Sequence, residues 1–372
     1  MAGQQESGTI IVGAGQAGLA AAFALRARGL GCRVLESAGS PGESWRRRWD
    51  SLRLFTPAQH CSLPGVAFPA AKGSFPTKDQ VADYLAEYAA QLPVTTGISV
   101  TGIAARRDRR DGEGFTLDTS AGEFTARHVV IATGATSTAF VPALAGRLSA
   151  ATRQLHSSEY RNPALLPDGA VLVVGAGTSG LEIAIELARD REVWLAGRVP
   201  FHVPDAVLAH AGGLYWQFIH NVLTRRTPLG RKIAADFTAQ GGPLISVSLA
   251  DAERAGVRLL PRLEGIDDGG RPAFAGGPSL AVSTVVWATG YRPDCSWLGA
   301  LSGGGPPVDG RGWPVTVRGE VPAIPGLYFV GLPFQYGLTS SLLGGVGRDA
   351  AHVADLIAER SRQSSAATTA AS

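Results

Sequence analysis

The stretch Thr9–Glu36, TIIVGAGQAGLAAAFALRARGLGCRVLE, decides the reading of the chain. Its leading run, Thr9-Ile10-Ile11-Val12, is apolar and suits a strand buried on both faces. Gly13, Gly15 and Gly18 follow in the spacing G-x-G-x-x-G. Gly13 permits a tight turn, Gly15 lets the backbone approach a pyrophosphate, and Gly18 lets the next helix lie against the strand. That helix runs from Ala17 to about Arg28 and is rich in Ala and Leu, both good helix formers. Its free N–H groups and positive dipole end face the phosphates. Gly29 and Gly31 end it. Cys32-Arg33-Val34-Leu35 reads as the second strand, and Glu36 closes it where a carboxylate takes an adenosine ribose. The glycine spacing alone is a weak signal in a chain with 48 glycines. Its weight comes from strand, turn, helix, strand and acid occurring in order.

A second unit of the same kind begins at Val171, VLVVGAGTSGLEIAIELARD, with Gly175, Gly177 and Gly180 in the same spacing. A helix is expected from Ser179 to Ala188, then a strand at Glu192-Val193-Trp194-Leu195-Ala196. Two such units argue for two dinucleotide sites. The second lacks the terminal acid, and Gly197-Arg198 stands there instead. An acid repels a 2′-phosphate and an Arg binds one, so NADPH is predicted over NADH.

Composition narrows the class. The chain has 372 residues, 45% apolar and 17% charged, as expected of a soluble globular protein with two domains. A net charge of +3 gives no nucleic-acid footprint. No apolar run is long enough to span a membrane, and the N-terminus carries no signal peptide pattern. Cys32, Cys61 and Cys295 are far apart, which excludes a disulfide framework or a zinc site and points to the cytoplasm.

Between the two units, Arg46-Arg47-Arg48 is either a solvated cluster or a source of one guanidinium for a diphosphate or flavin edge. Gln59-His60-Cys61 lies in a loop. Thr77 caps a helix running to about Gln91. Strands are expected from Val94 to Ile103, and a hairpin turns at Ala121-Gly122. Val129-Val130-Ile131 leads into Ala132-Thr133-Gly134. The same Ala-Thr-Gly recurs as Ala288-Thr289-Gly290 after the second unit. From Phe201 to about Ala255 an irregular helical insert is expected, with an amphipathic helix over 214–223, which reads as a packed subdomain or lid. A strand at 326–331 precedes a helix over 342–360 whose start, Thr339–Ser341, can face the pyrimidine end of a reduced flavin. The Ala/Ser/Thr-rich tail, 363–372, is expected to be disordered.

Over nearly its whole length the chain resembles the class B flavoprotein monooxygenases, which include the flavin-containing and YUCCA-type enzymes. The resemblance rests on Gly13–Gly18, Glu36, Pro41-Gly42-Glu43-Ser44-Trp45, Asp50–Leu54, Gln59–Pro64, Gly175–Gly180, Arg198, Ala288–Tyr291 and the block Gly326–Ala350. Gly241–Ile245 and Ser340–Ala350 bring it nearest to the bacterial members. It implies an α/β fold of two Rossmann-like units, the NADPH unit inserted in the FAD unit. The expected domains are 1–164 and 281–362 for FAD and 165–280 for NADPH.

The resemblance also implies FAD and NADPH contacts at Gly13, Gly15, Gln16, Ala17, Gly18, Glu36, Ser37, Gly42, Ser44, Trp45, Arg53, Val100, Ala132, Thr133, Gly134, Gly331, Leu338 and Thr339. The second half adds Gly175, Gly177, Thr178, Ser179, Gly180, Arg198, Ala288, Thr289 and Gly290. Phe55, Gln59, Gln335 and Tyr336 are the candidates for the flavin face, with simple packing as the alternative for each. The implied reaction uses NADPH, FAD and O2 to form a C4a-(hydro)peroxyflavin. That species oxygenates a small substrate at nitrogen or sulfur, or by a Baeyer–Villiger step. The sequence departs from the family in two places. Of the motif F-x-G-x-x-x-H-x-x-x-Y/F it keeps His156 and Tyr160, with Ala150 and Thr152 in the first two positions. Phe55 stands where many members have an Asn beside the flavin. Two other readings share the architecture: a reductase passing electrons to a quinone or partner protein, and a flavin-binding module without turnover. Relatives suggest a homodimer, and neither a nucleic-acid nor a stable membrane partner is expected.

Overall fold

Strand β1 (Gln5–Val12) lies at the centre of the first sheet, parallel to both of its neighbours. The computed structural model describes residues 5–108, 112–136, 138–240, 242–276, 279–301 and 304–371. Of the positions named above, Gly241 and Ser372 lie outside these residues. After β1 come α1 (Gln16–Arg26), β2 (Arg33–Leu35) and the short α2 (Glu43–Arg46). Next are α3 (Lys78–Ala89), β3 (Val94–Thr95), β4 (Val100–Asp108), β5 (Gly112–Thr119) and β6 (Gly122–Ile131). The sheet order is β3-β2-β1-β6-β5-β4, with a late strand also paired to β6. β6 changes neighbour along its length: residues 122–126 run antiparallel to β5, and Val129–Ile131 run parallel to that late strand. The expected hairpin and the capped third helix are both present. Thr77 and Gln80 form a reciprocal capping box, with Thr77 N donating to Gln80 Oε1 at 2.9 Å.

The chain leaves the first unit through β7 (Thr138–Ala139) and builds β8 (Arg153–His156), β9 (Val171–Val174), α4 (Thr178–Leu187) and β10 (Val193–Ala196). Three helices follow: α5 (Asp205–Asn221), α6 (Pro228–Gln240) and α7 (Leu249–Arg254). β11 (Arg258–Leu260), β12 (Leu263–Ile266), β13 (Pro272–Phe274) and β14 (Thr284–Trp287) complete this unit. Its main sheet is all parallel, in the order β11-β10-β9-β14-β8. β15 (Tyr291–Arg292) then pairs antiparallel with β7, so entry and exit strands lie side by side. β16 (Leu327–Phe329) is the late strand of the first sheet, and α8 (Leu343–Ala371) packs its apolar face along α1. Arg28 and Asp355 pair across those helices at 2.7 Å.

The structure corrects two expectations. β8 and β14 belong to the second sheet, so that unit reaches beyond 165–280 at both ends. A short buried strand carries no local mark of which sheet it joins. The helical insert expected over 201–255 consists of α5, α6 and α7, and a kink at Ala211, beside Gly212 and Gly213, interrupts the period of α5. The tail is helix to Ala371, because Ala-rich residues after Arg360 contain no Gly or Pro to stop it. Among the described residues no helix is long and apolar enough to cross a membrane, and no cluster of metal-ligating side chains occurs.

Candidate functional site

The two dinucleotide loops are built alike. In the first, Gly13 N donates to Leu35 O at 2.8 Å; in the second, Gly175 N donates to Ala196 O at 2.8 Å. A Cβ on Gly18 would lie 1.8 Å from Gly13 O, and one on Gly180 would lie 1.8 Å from Gly175 O. Both helices therefore rest directly on the carbonyl of the turn, which only glycine allows. Each Ala-Thr-Gly closes the same arrangement from the other side. A Cβ on Gly13 would meet Ala132 O at 2.7 Å, and one on Gly175 would meet Ala288 O at 2.2 Å. The recurring tripeptide is thus the neighbour strand's end, held against the first glycine of its loop.

Above each loop the space is open. A Cβ on Gly15 or Gly177 would meet nothing within 4 Å, and no side chain caps α1 or α4. An uncapped helix N-terminus under open space fits a pyrophosphate, whose oxygens accept the N–H groups of Gln16-Ala17 or Thr178-Ser179. Glu36 accepts Ala14 N at 2.6 Å and Ala38 N at 2.9 Å, which fixes its carboxylate at the mouth of the first loop with lone pairs left for a ribose. Ser37 beside it is exposed. At the matching place of the second unit, exposed Arg198 follows Gly197 at the end of β10. The residues present suit FAD in the first unit and NADPH in the second.

The remaining expected contacts divide by position. Thr133, Gly134 and Gly331 line one cleft with Asp294 and Trp297, at the C-terminal ends of β6 and β16. Gln16 reaches the C-terminal loop, Nε2 donating to Ser341 O at 2.7 Å. Leu338 and Thr339 sit on that loop, and Leu338 packs with Phe55, Trp216, Ile219 and Leu223. Trp45 packs against the core under α1, while Val100 opens β4 and packs on the apolar cluster of the sheet's other face. Gly42 precedes α2 and packs on α3, and Ser44 is exposed. Arg53 donates to Phe75 O at 3.3 Å, which ties it to its own loop. Thr289 donates to Phe140 O, and Gly290 O accepts Phe140 N at 3.0 Å.

The four flavin-face candidates each have partners of their own. Phe55 faces α5. Exposed Gln59 accepts Gly73 N at 2.8 Å, and buried Gln335 donates to Phe329 O at 2.9 Å, so both amides are engaged with backbone. The guanidinium groups of Arg318 and Arg348 lie 5.0 Å and 4.7 Å from the centre of the Tyr336 ring. The retained motif residues have structural partners. His156 Nε2 is 3.0 Å from Gly290 O, and Tyr160 donates to Glu186 at 2.8 Å.

The sequence reading missed Glu182, Asp349 and His220. Burial pushes the Glu182 carboxyl up to about 7, against the lowering effect of the Ser246 hydroxyl, which donates to it at 2.8 Å. Burial likewise raises Asp349 to about 6; Ser340, Arg318 and Arg348 face it and act in the opposite sense. Each sits on a helix face whose depth only the tertiary packing sets.

Comparison with known proteins agrees with this geometry. A family model described as Pyridine nucleotide-disulphide oxidoreductase matches residues 10–201. The chain is 36% identical over 348 residues to an uncharacterized oxidoreductase, CzcO-like, of Geobacillus kaustophilus, covering 92% of this chain and 96% of the relative. It is 31% identical over 321 residues to the indole-3-pyruvate monooxygenase YUCCA1 of Oryza sativa subsp. japonica, covering 78% of each. The flavin-containing monooxygenase from Stenotrophomonas maltophilia superposes with a TM-score of 0.76 at 27% identity, covering 96% of this chain and 99% of that one. The chain belongs to the class B flavoprotein monooxygenase family. As a member it is an NAD(P)H-dependent flavoprotein oxidoreductase whose cofactors are FAD and NADPH. All three cysteines of this monooxygenase are free. Burial raises the thiols of Cys32 to about 11 and Cys61 to about 12, which keeps them protonated and poorly nucleophilic.

Proposed function

We propose that the first unit holds FAD, the second holds NADPH, and the pair inserts one oxygen atom of O2 into a small organic substrate. The observation that carries this is the pair of open, uncapped loops, one ending at Glu36 and the other at Arg198. When bound, the flavin supplies the O2 activation and NADPH the hydride. The chain's residues bind, orient and shield. α1 and α4 direct N–H donors at the two pyrophosphates. Glu36 takes the ribose of one nucleotide, and Arg198 takes the 2′-phosphate of the other. Phe55, Trp216, Ile219 and Leu223 form an apolar wall with Leu338 that excludes water beside the C-terminal loop. No carboxylate pair or nucleophile triad is required, because the chain transfers no acyl or glycosyl group.

The substrate class proposed is a soft nitrogen or sulfur nucleophile, or a ketone. The enzyme is placed in the cytoplasm, where its free thiols persist, and is expected as a homodimer. The test is a panel of amines, sulfides, ketones and 2-oxo acids turned over under labelled dioxygen. One label atom in a product, with matching NADPH consumption, supports the proposal. Dioxygen recovered wholly as hydrogen peroxide across the panel, with fast electron transfer to an added quinone, refutes it in favour of a reductase.

A further inference from the structure

α5 begins on one unit and ends on the other. Near its start, Val203 N donates to Leu244 O at 2.9 Å, within the second unit. At its far end Trp216 stacks on His60, with ring centroids 5.6 Å apart and planes at 29°. The chain beyond α5 then runs beside the first unit's C-terminal loop. Leu338 N donates to Leu223 O at 2.9 Å, Arg225 N to Tyr336 O at 2.8 Å, and Arg225 Nε to Phe334 O at 2.6 Å. His220 sits at this junction. Its Nδ1 lies 3.1 Å from Thr339 Oγ1, and Arg348 Nη1 donates to its carbonyl at 2.9 Å. Thr339 is 8% exposed, so its hydroxyl has little water to turn toward.

We infer that His220 is a positioning residue: its Nδ1 sets the direction of the Thr339 hydroxyl, and so the polarity that the 336–341 turn presents to the flavin's pyrimidine end. This rests on the proposed reading of Thr339 as a flavin contact. With Nδ1 unprotonated, the imidazole accepts the Thr339 O–H, and Oγ1 shows only lone pairs to the cofactor. With Nδ1 protonated, the ring donates to Oγ1 and the hydroxyl proton turns outward. Burial, then Arg348 and His60, lower the His220 pKa below the usual histidine value, so the ring is uncharged at neutral pH, where its Nε2–H tautomer gives the first arrangement. The charged and titratable groups facing the ring are Arg348 on α8 and His60 on the 58–60 turn. An insert of the NADPH unit thereby adjusts a group that serves the FAD unit.

The test measures the FAD dissociation constant and visible flavin spectrum of the FAD-loaded protein. His220→Leu and Thr339→Val each weaken FAD about tenfold, and the double variant is no weaker than either single one. His220→Asn places an acceptor near the position of Nδ1 and stays within about threefold of the parent. As pH falls below the ordinary histidine range, the parent's flavin spectrum shifts with a single protonation that His220→Asn abolishes. Unchanged FAD affinity in His220→Leu, additive losses in the double variant, or a pH step surviving in His220→Asn overturns the inference. Should His220→Leu fail to fold, Thr339→Val and His220→Asn decide it. A parent protein that takes up no FAD at all instead removes the flavin reading itself.

Discussion

Adding one methyl group to either dinucleotide loop separates the two halves of the reaction. A Cβ on Gly180 would stand 1.8 Å from Gly175 O, whereas such contacts are essentially never under 3.0 Å. α4 must therefore retreat by at least 3.0 − 1.8 = 1.2 Å from its turn. The turn cannot yield instead, because Gly175 is itself pressed against the Ala288 carbonyl. A displacement of about 1 Å at a binding element costs on the order of 100-fold in rate, or about 2.7 kcal/mol. Gly180→Ala is expected to purify yellow, with a normal FAD content. Its flavin reduction by NADPH, followed by stopped-flow absorbance, falls about 100-fold in kcat/KM. Gly18→Ala meets the same 1.8 Å conflict at Gly13 O. It should lose FAD and purify colourless while still binding NADP⁺. The reasoning is refuted if Gly180→Ala reduces flavin at the parent rate, or if the two phenotypes are exchanged.

Three further outcomes are expected. Arg198→Ala raises the KM for NADPH by about 10- to 100-fold and that for NADH by less than about threefold, as loss of a charge-assisted phosphate contact requires; equal effects would exclude Arg198 as the 2′-phosphate ligand. The folded Glu182 carboxyl sits at about 7 rather than at 4.5, so the folded state holds a proton that the unfolded chain has lost. Stability drains away as pH rises through that window and stays low above it. Glu182→Gln, which keeps an acceptor for Ser246, should then raise Tm by about 2–4 °C at pH 8 and leave it unchanged near pH 4, and a pH-independent gain would contradict the assignment. Thr77→Ala removes one half of the capping box on α3 and should cost about 1 kcal/mol in denaturant unfolding without altering FAD content.

What the sequence disclosed follows from range. β1, α1 and β2 were legible because buried parallel strands and loop glycines act within a few residues of one another. The capping box at Thr77 and Gln80 was legible for the same reason. The role of Ala-Thr-Gly was visible only as a repetition; that its carbonyl presses on Gly13 or Gly175 needs the neighbouring strand in place. β8 and β14 lie outside the expected bounds 165–280 because sheet membership is a matter of partners far along the chain. Gln59 and Gln335 carry two readings in the sequence, flavin face or packing, and the backbone that each amide meets is brought to it only by a loop. His220 carried no motif, since the Thr339 it meets is 119 residues away.

The side-by-side strands β7 and β15 have a consequence for how such a protein is assembled. Thr138 and Arg292 are register partners, so everything between them leaves and returns through one narrow doorway. Adjacent strands are about 4.8 Å apart, a gap that a tight turn spans. The host is therefore topologically whole without its guest, and the guest is a cassette. Exchanging it for the cassette of a relative that prefers a different pyridine nucleotide would alter the fuel and leave the flavin chamber's own walls in place, save for the piece of wall that α5 contributes.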